Sequence, residues 1–396
     1  MKVITIFFAT LFLCGVFAVS ANAKSMIFFH PDGLGMNSWQ ALRYVTKGPA
    51  GKLHWDRLPH TGVYVGNMKD AAVATSHGGA TSHAYGVKVK ADSYGMDGTT
   101  PIRAASGFEG SLMQELMQKG YKTALVNSGD IVEPGTGVFV ASSPNRRNYD
   151  DIAVYIIHSG VDIILSGGER NLLPSGVKGR HGNGARRDDR NLIEEAKRLG
   201  YEVVYTAEEL ANILPQKPQK LLGVFAHGHS FNDKPEHKLE AKSLPRYVEG
   251  APTIAQMMDA TLQLLHGHEF FIVAEEEGTD NFSNVGNPQG TLTALARADE
   301  ALGVIMNYYD RNSANVDVIL ASDSDAGGIQ IQPGKISGKP TYHYTSEGET
   351  IHFSVSTVGK TDYAGGILAR STMPLPAVVD NTDIYKVMHD RLITKP

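Results

Sequence analysis

The chain has one cysteine, Cys14, and it lies inside the only long apolar run, Val3–Val19. That run follows Lys2 and ends at Ala21-Asn22-Ala23, a small-residue cleavage pattern, so residues 1–23 are expected to form an export signal. The run is near the short end of what spans a bilayer and contains Gly15, which argues against a retained anchor. Leu13 is too bulky for the position before a lipid-bearing cysteine. Cleavage would remove the only thiol. The mature chain then has neither disulfide nor thiolate, and any metal must be held by oxygen and imidazole. Basic blocks are absent, which argues against a nucleic-acid partner, and no second apolar run suggests a membrane protein once the signal is gone. The formal charge of −5, or −6 without Lys2, is spread along the chain. Repeats and low-complexity tracts are also missing. A periplasmic or secreted protein is expected, with about 370 residues after cleavage.

What remains alternates between short apolar runs and amphipathic stretches. Strands are predicted at Met26–His30, Gly62–Val65, Thr123–Val126, Val161–Leu165, Leu221–Phe225, Phe270–Ala274 and Val316–Ala321. Helical periodicity appears near Ser111–Gln118, Asn191–Arg198, Ala207–Ile213, Thr253–Leu265 and Leu292–Tyr309. Such alternation predicts an α/β fold: a central, mostly parallel sheet covered by helices on both faces, in three layers. No sharp shift in composition divides residues 24–396, which are expected to form a single catalytic domain. The segment Pro333–Thr350, rich in Gly, Lys, Ser and Thr, reads as an excursion loop.

Three of the predicted strands end in acid. Met26–Pro31 runs into Asp32-Gly33-Leu34-Gly35, Phe270–Ala274 into Glu275-Glu276-Glu277-Gly278-Thr279-Asp280, and Val318–Ser322 into Asp323-Ser324-Asp325. Read singly, each acid is a turn or cap residue, and the glutamate run a solvated face. In a parallel sheet, however, the C-terminal strand ends share one edge, and ligands bind beyond it. Carboxylates converging there repel unless a cation neutralises them, so the three endings together point to a metal site.

Between the first two predicted strands and the third lies Thr75-Ser76-His77-Gly78-Gly79-Ala80-Thr81-Ser82-His83, one hydroxyl ahead of a run of small residues. A serine at a helix start sits beside N–H groups that favour an anion, and small neighbours would let phosphate and metal approach. It needs a base or a metal to act as a nucleophile. A plain N-cap serine is the equally open alternative.

These segments, in order, resemble the alkaline phosphatase family over nearly the whole mature length. Asp32-Gly33-Leu34-Gly35 is similar to the family's first metal loop, and Thr75-Ser76 to its nucleophile motif, with Thr75 where the family usually has Asp. Glu133-Pro134-Gly135-Thr136-Gly137 resembles the loop that feeds the magnesium site. Val161–Gly168, Asn191–Gly200, Asn381–Asp383 and Lys386–Met388 follow in family order. The resemblance implies a phosphoric monoester hydrolase working through a phosphoserine intermediate on Ser76, with Arg146 clamping phosphate. It implies Glu275 as a magnesium ligand, Asp280 as a zinc ligand, Asp32 as the carboxylate bridging two metals and Asp323 as a ligand of the second zinc. Small phosphate monoesters are the implied substrates, and a homodimer is a family habit.

The chain departs from that pattern at the zinc histidines. Asn284 and Ser324 stand where two are expected, and the register of the third falls near Gly348, with His343 and His352 out of step. Ser324, Asp325 and Thr279 offer oxygen instead, which favours magnesium, calcium or manganese over zinc. Two other readings therefore stand beside the first: a diesterase or sulfatase on the same fold, and a catalytically impaired protein that binds metal or phosphate. His227 and His229 read as metal ligands or as rim residues. His77 and His83 read as packing or capping groups, stand-in ligands or proton carriers. The basic segment Lys178–Arg190 reads as an exposed loop that could guide anions.

Overall fold

The computed structural model describes residues 25–393; the expected export signal and Cys14 lie outside the described residues. The predicted strands all form, and they join a ten-stranded sheet. Its order is Val378–Asp380, His60–Val65, Leu368–Ser371, Val316–Leu320, Ser25–Pro31, Phe270–Glu276, Lys122–Asp130, Ile163–Gly167, Leu221–Val224 and Glu202–Val204. Only Leu368–Ser371 runs against its neighbours.

Alternation along the central strands divides the core into two layers. Met26 and Phe28 face one side, packed under the helices Ser76–Tyr85, Leu112–Gln118, Tyr149–Ile157, Leu192–Arg198 and Asn381–Leu392. Ile27 and Phe29 face the other, under Met36–Thr46, Ala207–Ile213, Ile254–Leu265 and Pro288–Asn312. This is the three-layer α/β architecture, with apolar strands buried on both faces. The last of those helices begins earlier than its apolar periodicity suggested. Asn287 accepts from Gly290 N–H, and Pro288 occupies the first turn, where its missing N–H costs nothing.

Half of the segment expected to be an excursion loop is instead sheet. Ile329–Pro333, Glu349–Thr357 and Thr341–Ser346 form a three-stranded antiparallel unit with Glu349–Thr357 in the middle. Tyr342 and Tyr344 pack on Phe353, and Tyr344 also meets Tyr44 of the helix Met36–Thr46. Glu347 (φ +50°) and Gly348 (φ +85°) make the two-residue turn that joins the strands. Composition hid these strands because tyrosine alternation counts for more than the glycines and lysines around it.

Parallel register does the positioning. His30 pairs with Glu275, and Glu275 with Asn127, so three side chains stand in a row across adjacent strands. Asp32 follows the first of these strands and Asp323 follows Val316–Leu320, which brings both to the same edge.

Candidate active site

The structure brings Asp32, Glu275 and Asp323 together and encloses them completely. Two groups have ligand atoms all within 4.8 Å of one another: His30, Asp32 and Asp323, and Asp32, Glu275 and Glu277. Among the described residues, both oxygens of Asp32 and of Asp323, Glu275 Oε1, Glu277 Oε2 and both ring nitrogens of His30 are buried without a hydrogen-bond partner. Buried carboxylates are seldom left unpaired, because each costs several kcal/mol. Burial and then the neighbouring acids push Asp32, Glu275, Glu277 and Asp280 well above the ordinary carboxylate range. Burial would also raise Asp323, but the neighbouring Asp32 and His30 hold it below that range. Carboxyls raised in this way hold protons that ordinary carboxylates release. The donor set fits divalent cations, which would take the place of such protons.

Glycines open the space for this crowding. A Cβ on Gly135 would overlap Glu275 Oε1, one on Gly35 the Asp325 carboxylate, and one on Gly33 would lie 2.9 Å from Asp280 Oδ1. Gly33 also sits at φ +68°, a conformation other residues rarely adopt. Gly79 lies directly against Asp323, which ties the serine-bearing helix to the carboxylates.

Ser76 is half-buried in the first turn of Ser76–Tyr85. Thr75 is the N-cap: its hydroxyl accepts from Gly78 N–H and donates to the Ala91 carbonyl at 2.6 Å. It is thereby committed to the backbone. Arg146 finds other partners, with Nη1 3.1 Å from His77 Nδ1 and Nη2 3.4 Å from Glu133 Oε2. His77 Nε2 in turn lies 3.1 Å from Asp92 Oδ1.

Asp280 is held apart from the two groups above. Asn284 donates to Asp280 Oδ1 at 3.0 Å and to Asp362 Oδ1 at 3.1 Å, so an amide links two acids where the family resemblance places an imidazole. Of the oxygen donors expected to compensate, Thr279 is engaged elsewhere: its hydroxyl donates to the Asp32 and Glu276 carbonyls. Ser324 is buried in the cluster's strand end, and Asp325 nests against Gly35 and Gly365. Gly348 is at an exposed turn, and His343 and His352 face each other across the same hairpin. Glu276 points away, its Oε1 bonded by Ser128, Tyr247 and Gly278 N–H.

The remaining histidines and the basic segment resolve simply. His229 accepts from Asp130 N–H, stacks on Phe231 and turns Nε2 towards Glu133 Oε1 at 3.8 Å, and His227 meets the Asn183 carbonyl. His83 Nε2 bonds Tyr64 Oη at 2.7 Å inside the core. Lys178–Arg190 is not uniformly exposed. Arg186 is buried and binds Asp188 and the carbonyls of Asp150 and Asn171. A cavity of about 220 Å³ opens beside Asp323, lined by Tyr64, Asn67, Ala74, Tyr363 and Gly365; a larger one, about 740 Å³, lies between Ile254–Leu265 and Pro288–Asn312, away from these acids.

Sequence reasoning missed His30, Glu277, Asp362 and the role of His77. The signal for His30 was present, since Met26, Phe28, His30 and Asp32 share one face of a strand by simple alternation. Asp362 carried none, because a two-residue strand, Asp362–Tyr363, delivers it by pairing with Asp325–Ala326.

The alkaline phosphatase family profile matches residues 23–362. The chain belongs to the alkaline phosphatase family. It is 24% identical to the repressible alkaline phosphatase of Saccharomyces cerevisiae over 348 residues, covering 82% of this chain but 59% of the yeast protein. Against the alkaline phosphatase of Escherichia coli it is also 24% identical, over 374 residues, with 84% and 76% covered. In structure it superposes on a variant of the alkaline phosphatase of the Antarctic bacterium TAB5, solved with Mg bound in the M3 site, with a TM-score of 0.74. That likeness covers 95% of this chain and 99% of the other at 17% identity, and it shows the shared fold. Among the described residues no helix is long and apolar enough to cross a membrane.

Proposed function

We propose that this chain is an exported, metal-dependent phosphohydrolase that cleaves small phosphate monoesters through a phosphoserine on Ser76. The observation that carries the proposal is the buried set of Asp32, Glu275, Glu277 and Asp323, each with at least one oxygen that has no hydrogen-bond partner, beside a helix that presents a serine in its first turn. Membership of the alkaline phosphatase family supports the reaction class, and the TAB5 variant's bound Mg supports divalent cations as cofactors.

In this reading the chain's residues divide the work. The carboxylates would hold two or more cations: Asp32 and Asp323 with one, Glu275 and Glu277 with another, and Asp280 at the far side. When bound, those cations would lower the pKa of the serine hydroxyl and stabilise charge on the entering and leaving oxygens. Ser76 Oγ attacks phosphorus, and the ester oxygen leaves with the electrons of the broken P–O bond. Arg146, kept charged and aimed by Glu133 and His77, binds the non-bridging oxygens by paired N–H donors. Water then attacks the phosphoserine and frees both serine and phosphate. A single guanidinium clamp suits a monoester dianion better than a diester.

The test strips the protein with chelator and assays aryl phosphate, phosphodiester and sulfate ester with zinc, magnesium, manganese or calcium restored, alongside Ser76→Ala. Monoester turnover that needs metal and vanishes in Ser76→Ala is expected. No turnover with any metal removes the enzyme reading, and turnover in Ser76→Ala removes the nucleophile.

A further inference from the structure

We propose that His30 is a metal ligand, its Nε2 completing a His–Asp–Asp site with Asp32 and Asp323 from the sheet side of the cluster. The inference rests on the reading above that cations occupy these acids, and it names the imidazole that serves them. Ser324, directly after Asp323, offers no nitrogen. A nitrogen donor is nonetheless present, on the neighbouring strand. His30 Nε2 lies 3.7 Å from Asp32 Oδ1 and 3.7 Å from Asp323 Oδ1. Ligand atoms around a four-coordinate cation with bonds of about 2.1 Å lie about 3.4 Å apart, so contraction by a few tenths of an ångström closes the site.

A packing histidine is the plain alternative, since the ring stacks on Phe28 at 5.8 Å and 15°. It does not account for the nitrogens. His30 is wholly buried and neither nitrogen has a hydrogen-bond partner, whereas the nearby core histidine His83 leaves only Nδ1 unpaired and bonds Tyr64 through Nε2. Both His30 nitrogens face carboxylates. Nδ1 points to Glu275 Oε1 at 3.9 Å, and that glutamate is held on its other oxygen by Asn127. A ligating imidazole commonly turns its second N–H towards a carboxylate, which fixes ring and tautomer. A second alternative is a permanently protonated ring serving as counter-charge, which would bind no metal itself.

His30 would also make the two groups chemically unequal. The site with imidazole suits zinc, cobalt or manganese, while Asp32, Glu275 and Glu277 offer oxygen alone and suit magnesium.

X-ray absorption at the metal edge of the stripped full chain, reloaded with zinc or cobalt(II), tests the assignment. The wild type should show imidazole scattering around the metal. His30→Gln should lose that scattering and bind zinc at least about tenfold more weakly in competition titration, while His83→Gln keeps both. An all-oxygen shell in the wild type overturns the proposal, as does imidazole scattering that survives in His30→Gln. The wild-type spectrum decides even if His30→Gln does not fold, which circular dichroism of the stripped proteins would reveal. Aryl phosphate hydrolysis measured in parallel separates the two claims. An imidazole-bound metal without turnover refutes the phosphohydrolase and leaves His30 as ligand; turnover with an oxygen-only shell does the reverse.

Discussion

At the scale of single residues, Arg146 is placed by the side chains around it. Thr75 is spent on capping, and the guanidinium leans instead on Glu133 and on His77, the residue after the serine. Arg146→Ala should lower kcat/KM for aryl phosphate by about a hundredfold. His77→Ala should lower it about tenfold through misplacement of the arginine, and His77→Gln, which keeps an acceptor, should recover most of the loss. Burial first, and then the Arg146 charge, push the His77 imidazole down to about 4. The unfolded chain takes up that proton near pH 6.5, and the folded chain refuses it until about pH 4. Stability is therefore lost as pH falls through that window and levels off below it. Urea denaturation across it should show a shallower loss in His77→Gln than in the wild type. The acids that end apolar strands, Asp32, Glu275 and Asp323, were readable in the sequence because an apolar run passes directly into charge. His30 was less so: nothing in one strand reveals which side chains stand across from it in the next.

At the scale of elements, glycines decide how close the backbone comes to charge. Gly135 lets the short helix Pro134–Gly137 rest on Glu275. Gly135→Ala should displace that carboxylate and weaken magnesium binding at least about tenfold, read by calorimetric titration, with circular dichroism unchanged. The loop around Arg186 is an element of another kind, held by one buried cation bonded to two carbonyls and Asp188. Arg186→Met should cost about 3 kcal/mol in urea denaturation. Periodicity located the main strands and five of the helices but passed over Met36–Thr46, Tyr149–Ile157 and Asn381–Leu392. It failed at Thr341–Ser346, where glycines and lysines on both sides obscured the alternating tyrosines, and at the burial of Arg186, which composition reads as solvated.

At the scale of the whole molecule, the buried acids make stability depend on what neutralises them. Without cations the raised carboxyls hold protons in the folded state that the unfolded chain releases near pH 4. The stripped protein should therefore lose stability as pH rises above about 4, whereas bound cations stabilise the folded form by mass action. Differential scanning calorimetry should find the gap in Tm between loaded and stripped protein widening from about pH 5 to pH 8; a constant gap would contradict this account of the cluster.

The sheet order adds a constraint in time. The strand Ser25–Pro31 comes first among the described strands, yet its two neighbours, Phe270–Glu276 and Val316–Leu320, lie far along the chain. During synthesis its edges must wait, exposed, for partners that arrive some 240 to 290 residues later, a topology that folds slowly and invites aggregation. Any product truncated before residue 316 would lack one flank of this strand and Asp323 with it. Competence to bind metal through both Asp32 and Asp323 thus requires that translation has passed residue 323.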